Sequence, residues 1–470
     1  MRRRHSVVEL TMAILGAAIA VCFFLGGVYA IARPQYALLF ILLMFPVKQL
    51  LQVTIGYFQS DSGGQLVNIA AGAVVLASIA SLLFRKQDIL RGFWNGVAIV
   101  VLLIYMQILV GLAYTPSRGA ALFLLNQWWP YAVLLLLLQP LLLTRLDDLR
   151  RIIPAFLLIG SLVAVLVFVL GTNVSGRWVL TIGRDFTGKA VLGNPLATAE
   201  LGGMLVICGA FYRTSTPSFL MTALRLVGVL LGLTLALLTG SRGQLLGAVL
   251  VFALFIPVAY KVRSIGGFIA MFVGVAFFGI MLIGVAQAFS GAEVASRWTE
   301  KNLAEGAGGR LSFAWQLVQA YLQNPAYWFS GLGPGAFNAV VPNPDGGFHY
   351  PHNVLVEALG ENGILGLGMF ITALALCFAW GRKLLALVED VPELRGALAI
   401  LAGMTAFAVF LAIKQSSLMG VPTYFAWMIM LAKVAKAELS LATIESAHHD
   451  YDQPAEGYET DEHGEPLPAG

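Results

Sequence analysis

The sequence predicts an all-α polytopic membrane protein, and three observations carry that reading. Of its 470 residues, 59% are hydrophobic and only 11% are charged, against about 25% charged in soluble globular domains. Mean hydropathy is +0.82. The apolar residues gather in runs near the roughly 20 residues that a helix needs to cross a bilayer core. An ordinary soluble enzyme is excluded, and membrane lipids are the first partner implied. The net charge of +4 is small and spread along the chain, which argues against nucleic acid as a partner. Cys22, Cys208 and Cys377 each fall inside an apolar run. They make no disulfide framework and match no zinc spacing.

The basic tip Met1-Arg-Arg-Arg-His5 and the run from Val7 to Ile31 have the outline of a secretory signal. The run is longer than a signal core, lacks a small-x-small cleavage site and is followed by further spans, so it reads as the first membrane helix. In order, the apolar runs are 10–31, 36–51, 66–84, 94–113, 125–143, 152–171, 196–212, 224–239, 243–260, 266–289, 353–379, 395–413 and 418–436. Several are short, so about 12 membrane helices are expected. The chain divides into N-terminal membrane helices over 1–289, a large polar loop over 290–352, C-terminal membrane helices over 353–436 and a tail over 445–470. That tail holds eight acidic residues and no Lys or Arg, a composition that predicts a disordered cytoplasmic segment. His448, His449 and His463 lie in it.

Orientation follows from Lys and Arg in short loops. Arg85, Lys86 and Arg91; Arg145, Arg150 and Arg151; Arg213 and Arg225; Lys261 and Arg263; and Arg382, Lys383 and Arg395 alternate onto one side, the cytoplasmic one. The stretch Ser290–His352 then lies outside, with the loops Thr172–Pro195 and Gly240–Gly243. Thirteen spans would put Arg2-Arg3-Arg4 outside against the rule, so one early run is expected to fall short of a crossing.

Cations nevertheless collect on the outer side: Arg177, Arg184, Lys189, Arg242, Arg297, Lys301 and Arg310. The guanidinium fork suits phosphate oxygens, so a phosphate-bearing lipid or an anionic glycan is one reading. Pairing with Glu293, Glu300, Glu305 or lipid headgroups is the other. In the long loop, Leu311, Ala314, Trp315, Val318, Tyr321 and Leu322 recur at helical spacing until Asn324-Pro325. This predicts an amphipathic helix on the membrane or the bundle, with Arg310 at its start, where free N–H groups favour an anion. Gly331-Leu-Gly-Pro-Gly335 reads as a flexible turn; no strand precedes it and no Lys follows, which removes a nucleotide loop. Next comes His349-Tyr-Pro-His352-Asn353, entering a span with Asn353 as a helix cap. Asn353, Glu357 and Glu361 are four apart and share one helical face. Carboxylates in a span face a bundle interior or a wet cavity, by structural pairing or by function; Glu200, after Gly193-Asn194-Pro195, is another.

Pro351-His352-Asn353 with Leu355, Glu357, Glu361, Gly363 and Gly366 resembles the signature of the O-antigen ligase and polymerase superfamily. Thr239-Gly-Ser-Arg242-Gly243 is similar to its Ser-Arg-Gly turn. Gly193-Asn194-Pro195 resembles its Asn-Pro element, with Leu196 where a second Asn is usual. Gly309-Arg310-Leu311 with Trp315, then Gly331–Gly335, fits the pattern before the histidine. The resemblance covers roughly residues 180–375. It implies a bacterial inner-membrane glycosyltransferase that moves a glycan from undecaprenyl diphosphate to an acceptor on the periplasmic side. Ligases use lipid A–core, polymerases another lipid-linked repeat, and related transferases protein hydroxyls.

On that reading the donor is an undecaprenyl-diphosphate-linked glycan, and the acceptor is lipid A–core or another glycan. The resemblance assigns His352, Arg310 and Arg242 to catalysis. His352 suits a base because an unperturbed imidazole titrates near 6.5, and the arginines suit the developing charge on diphosphate. His349 is the rival base. Asn353 and Glu357 are expected to orient the histidine or the helix end, and Arg184 and Lys189 to bind donor. No Asp-x-Asp pair and no His/Cys cluster marks the outer loops, so neither metal nor other cofactor is expected. A lipid-linked glycan transporter is the alternative class; it would line a central cavity from many helices rather than gather polar chemistry at their outer ends.

Overall fold

The computed structural model describes residues 2–184, 189–216, 218–261, 264–270, 272–274, 284, 300–341, 350–415, 417–420 and 422–452. Among them, nine helices are long and apolar enough to cross a membrane. Three start the chain: α1 (Arg2–Ala32), α2 (Ala37–Thr54) and α3 (Asp61–Phe84). Arg33 and a short turn begun by Pro34 separate the first two, proline being suited to a first helical position. Ser60 caps α3, its hydroxyl accepting from Gly63 N at 3.1 Å.

α4 (Gly96–Gly111) begins at Asn95, whose side chain caps Ala98 N at 3.1 Å. α5 (Arg118–Ala132) contains Pro130, which cannot donate to the helical ladder; a π-helical turn, Val133–Leu138, follows at once. α6 (Leu146–Leu170) leads into two antiparallel hairpins, β1 (Thr172–Val174) with β2 (Arg177–Val179), and β3 (Thr181–Arg184) with β4 (Ala190–Leu192). Trp178 Nε1 donates to Val167 O at 3.2 Å and fastens the first hairpin to α6. Then come α7 (Pro195–Phe211), α8 (Phe219–Leu238) and α9 (Arg242–Tyr260). The run expected over 266–289 lies largely outside the described residues. The later elements are α10 (Glu300–Leu322), α11 (Phe337–Val340), α12 (Val354–Leu387), α13 (Pro392–Gln415) and α14 (Thr423–Asp452).

The basic loops do share one face. Arg85 reaches Ala32 O at 2.8 Å, Lys261 pairs with Glu389 at 3.0 Å and Asp390 at 3.1 Å, and Arg145 pairs with Glu438 at 3.8 Å. With Ala32 at that face, α1 starts at the opposite one. All three early helices have spanning length, whereas one was expected to fall short.

α14 departs from expectation in two ways. It runs through Asp452, eight residues into the segment read as a tail; residues 453–470 lie outside the described ones. Its first fifteen residues are also almost entirely buried, including Lys433, whose Nζ donates to Leu143 O at 2.7 Å. A helix apolar on all sides belongs in a bundle core, and here it is that core.

α12 is two helices in sequence, broken at Gly363 (φ 69°, ψ −168°). Only glycine adopts this backbone readily. The break frees groups that the loop before it takes up. Leu332 N donates to Gly360 O and Gly333 N to Glu361 O, both at 2.9 Å; Ile364 N donates to Trp328 O at 2.9 Å and Leu365 N to Phe329 O at 3.2 Å. Non-helical backbone at membrane depth is stable only with such replacements. The glycine-rich stretch read as a flexible turn is therefore bound on both sides.

Candidate active site

The face opposite the basic loops gathers four helix ends that are far apart in sequence. α7 starts there at Asn194, whose Oδ1 accepts from Leu196 N at 2.9 Å. α9 starts there at Arg242, and α12 at Asn353, whose Oδ1 accepts from Leu355 N at 3.0 Å and Val356 N at 3.2 Å. α13 ends there at Lys414 and Gln415. Between them opens a cavity of about 310 Å³, with Asn194, Tyr350, Gln415 and Ser417 among its lining residues.

His352 immediately precedes the cap of α12. It is half-buried, has a left-handed backbone (φ 57°), and its ring lies 4.4 Å from that of Tyr350, which lines the cavity. A non-glycine residue held at positive φ stores strain of the kind that collects at functional sites. His349, the rival base, lies outside the described residues.

Arg242 is the first residue of α9 and half-buried. Arg177 on β2 is near enough to act on it electrostatically. Two residues on, Gln244 Nε2 donates to Gln415 Oε1 at 2.9 Å, which joins the Arg242 turn to the cavity wall. Lys414 completes this corner. Its Nζ donates to Gln415 Oε1 at 3.1 Å and Gln244 Oε1 at 3.4 Å. Its stem lies against Gly243, where any side chain would collide with it. Three cations thus approach one helix N-terminus, the end whose dipole attracts anions. Lys414 was missed in the sequence because it follows the last residue of an apolar run. The signal was there: a lysine at the outer end of a span runs against the positive-inside rule.

The acidic pair on α12 reaches two loops. Glu357 is 1% exposed, and its carboxylate accepts from Ser417 Oγ at 2.7 Å and Leu418 N at 3.0 Å. It fixes the loop between α13 and α14, one wall of the cavity. Glu361 accepts from Gly335 N at 2.8 Å and Phe337 N at 3.0 Å and so holds the glycine-rich loop. Both are positioning residues.

Arg310 needs a correction of place. It is the eleventh residue of α10, because that helix starts at Glu300, and so it lies within the helix rather than at an exposed N-terminus. The ten residues before it hold three glycines and no apolar stripe, which is why periodicity did not reveal them. Arg184 and Lys189 flank the tip of the β3–β4 hairpin, and Lys189 is exposed. Among the described residues no group of three or more His, Cys, Asp or Glu side chains converges.

Fold and site define a class: a multi-pass helical membrane protein with one cavity whose lining is adjoined by the histidine, through Tyr350, and by the cations, through Gln415. Residues 197–371 match the family model described as O-Antigen ligase, a match that supports the O-antigen ligase-like superfamily. That family points to glycosyl transfer of the O-antigen ligase or polymerase type, with lipid-linked glycan and acceptor substrates in general. The matched stretch holds Arg242, Arg310, His352 and Glu357; most of the cavity wall, from α2, α5, α13 and α14, comes from outside it. A comparison with curated proteins gives no match.

Proposed function

We propose that this protein is a metal-independent glycosyltransferase of the bacterial inner membrane, moving a glycan from undecaprenyl diphosphate to lipid A–core at the periplasmic face. The observation that carries the reading is the meeting of His352–Tyr350 with the Arg242 turn at the mouth of one cavity, inside the family-matched stretch.

In the reaction, an acceptor hydroxyl attacks the anomeric carbon that bears the diphosphate. Its proton passes to the His352 imidazole, the new carbon–oxygen bond forms, and the bond to diphosphate breaks. The leaving undecaprenyl diphosphate keeps the electron pair. Arg242, with Arg177 and Lys414 beside it and Arg310 from α10, stabilises that charge, and fixed donors aimed at developing charge act most strongly where water is scarce. Arg184 and Lys189 on the hairpin draw in the anionic donor. Asn353 caps the helix start beside the histidine, and Glu357 and Glu361 hold the neighbouring loops in place.

The experiment is the glycan phenotype of a deletion strain. Loss of all long glycan from lipid A–core, with lipid-linked polymer accumulating, is expected. Core capped by a single repeat would make the protein a polymerase, and unchanged glycan with donor stranded on the cytoplasmic leaflet would make it a transporter.

A further inference from the structure

The cavity has a floor that the chemistry at its mouth does not use. Its walls are mainly apolar, yet Glu200, Gln139 and Tyr424 line it. Gln139 is fully buried, and neither atom of its amide has a hydrogen-bond partner; Tyr424 is 1% exposed and its hydroxyl has none. Glu200 makes no hydrogen bond or ion pair among the described residues. It lies six residues along α7 from Asn194, about 9 Å below the mouth at 1.5 Å per residue.

Buried polar groups are nearly always bonded, so the unsatisfied Gln139 amide and Tyr424 hydroxyl, with the half-buried Glu200 carboxyl on the same walls, point to something that occupies the cavity. A carboxyl group inside a span and facing a cavity marks a substrate path. An isoprenoid chain offers these groups nothing to bond. A phosphate is repelled by Glu200 and belongs with the cations at the mouth. A neutral group that both donates and accepts satisfies all three at once. Trp128 and Trp427 add broad apolar surface to the same walls, as the carbon face of a sugar ring requires. The volume is at the lower end of ligand pockets, about 300–1,000 Å³, which suits one small group and not a polymer.

We propose that the floor of the cavity is a binding subsite for a neutral glycosyl group of a glycolipid, with Glu200, Gln139 and Tyr424 as its polar contacts. The assignment rests on the glycosyl-transfer reading and deepens it. It is tested by binding alone, so its failure is separable from a failure of transfer.

The probe is octyl β-glucoside carrying a photoreactive diazirine on the alkyl carbon next to the sugar, with the matching diazirine-bearing octane as control, applied to the full chain in phosphatidylcholine nanodiscs. The expected result is labelling of residues 128–139 and 423–427 by the glucoside well above that by the alkane. Gln139→Leu and Tyr424→Phe, which both suit an apolar interior, should each lower glucoside labelling about five- to tenfold, the equivalent of one lost hydrogen bond. Glu200→Gln should lower it less. Equal labelling by the two probes, or glucoside labelling unchanged in both Gln139→Leu and Tyr424→Phe, overturns the proposal. So does blocking of the site by geranylgeranyl diphosphate, which would assign the floor to the lipid chain of the donor.

Discussion

The two faces of this molecule use arginine in opposite settings. On the basic face, Arg225 donates to Gly209 O at 2.9 Å and Ala210 O at 3.3 Å, in the last turn of α7. Arg213 donates to Ala259 O at 2.9 Å and Arg395 to Pro257 O at 3.1 Å, both in the last turn of α9. These cations meet helix C-termini, where the dipole favours them and free carbonyls need donors. On the opposite face, Arg242 and Lys414 meet the N-terminus of α9, where the dipole opposes them, with Arg177 close by. Residue type is the same; position relative to the helix end differs. The first set caps helices, and the second crowds positive charge onto a helix start.

The largest expected effect is at the histidine. His352→Ala should lower transfer by about 10²–10⁴, the usual worth of a general base, with folded yield unchanged. Wild-type turnover in the purified variant would remove His352 from the chemistry.

The comparison itself is tested by a matched pair of substitutions. Arg242→Lys keeps the charge and loses the fork, so transfer should fall about tenfold to a hundredfold, and Arg310→Lys should follow it. Arg225→Lys, on the basic face, should leave the transfer rate near wild type and lower thermal stability instead. Similar rates in Arg242→Lys and Arg225→Lys would erase the distinction between the faces.

Glu361→Ala should show mainly as stability. It leaves two buried N–H groups unsatisfied, a loss of about 2–3 kcal/mol, read as a lower Tm in detergent. A variant with an unchanged Tm would mean that the glycine-rich loop is held by its backbone bonds alone. The smallest effect expected is none: treating the protein with a chelator should leave transfer unaltered, and activity lost on chelation and restored by magnesium or manganese would end the metal-free mechanism.

Much of this was legible in the sequence. The apolar runs mark most of the helices, Asn353 is the cap its position announced, and Arg242 begins a helix at a tight turn as its neighbours suggested. What stayed hidden has physical causes. Periodicity reports which face of a helix is apolar and says nothing about φ, so Gly363 looked like one more glycine in a continuous span. Polar helical turns carry no apolar stripe, so the first ten residues of α10 went unread and Arg310 was put at a helix end. The carboxylates of Glu357 and Glu361 are bound by loops about 60 and 25 residues away, partners that no local pattern can name. Gln139 and Tyr424 look ordinary until folding brings them to one cavity.

The buried lysine of α14 has a consequence for how the protein is made. With Lys433, Lys436 and Glu438 within six residues, α14 is not among the described helices that qualify as membrane spans on length and composition, and these charges lie toward the basic face, where Glu438 meets Arg145 and Lys436 donates to Trp94 O at 2.7 Å. The carbonyl that receives the Lys433 ammonium belongs to Leu143, 290 residues earlier. That acceptor is already in place when the last helix leaves the ribosome. The Lys433 contact therefore closes only when α14 packs against the loop before α6, and a chain cut before α14 would leave that carbonyl without this donor.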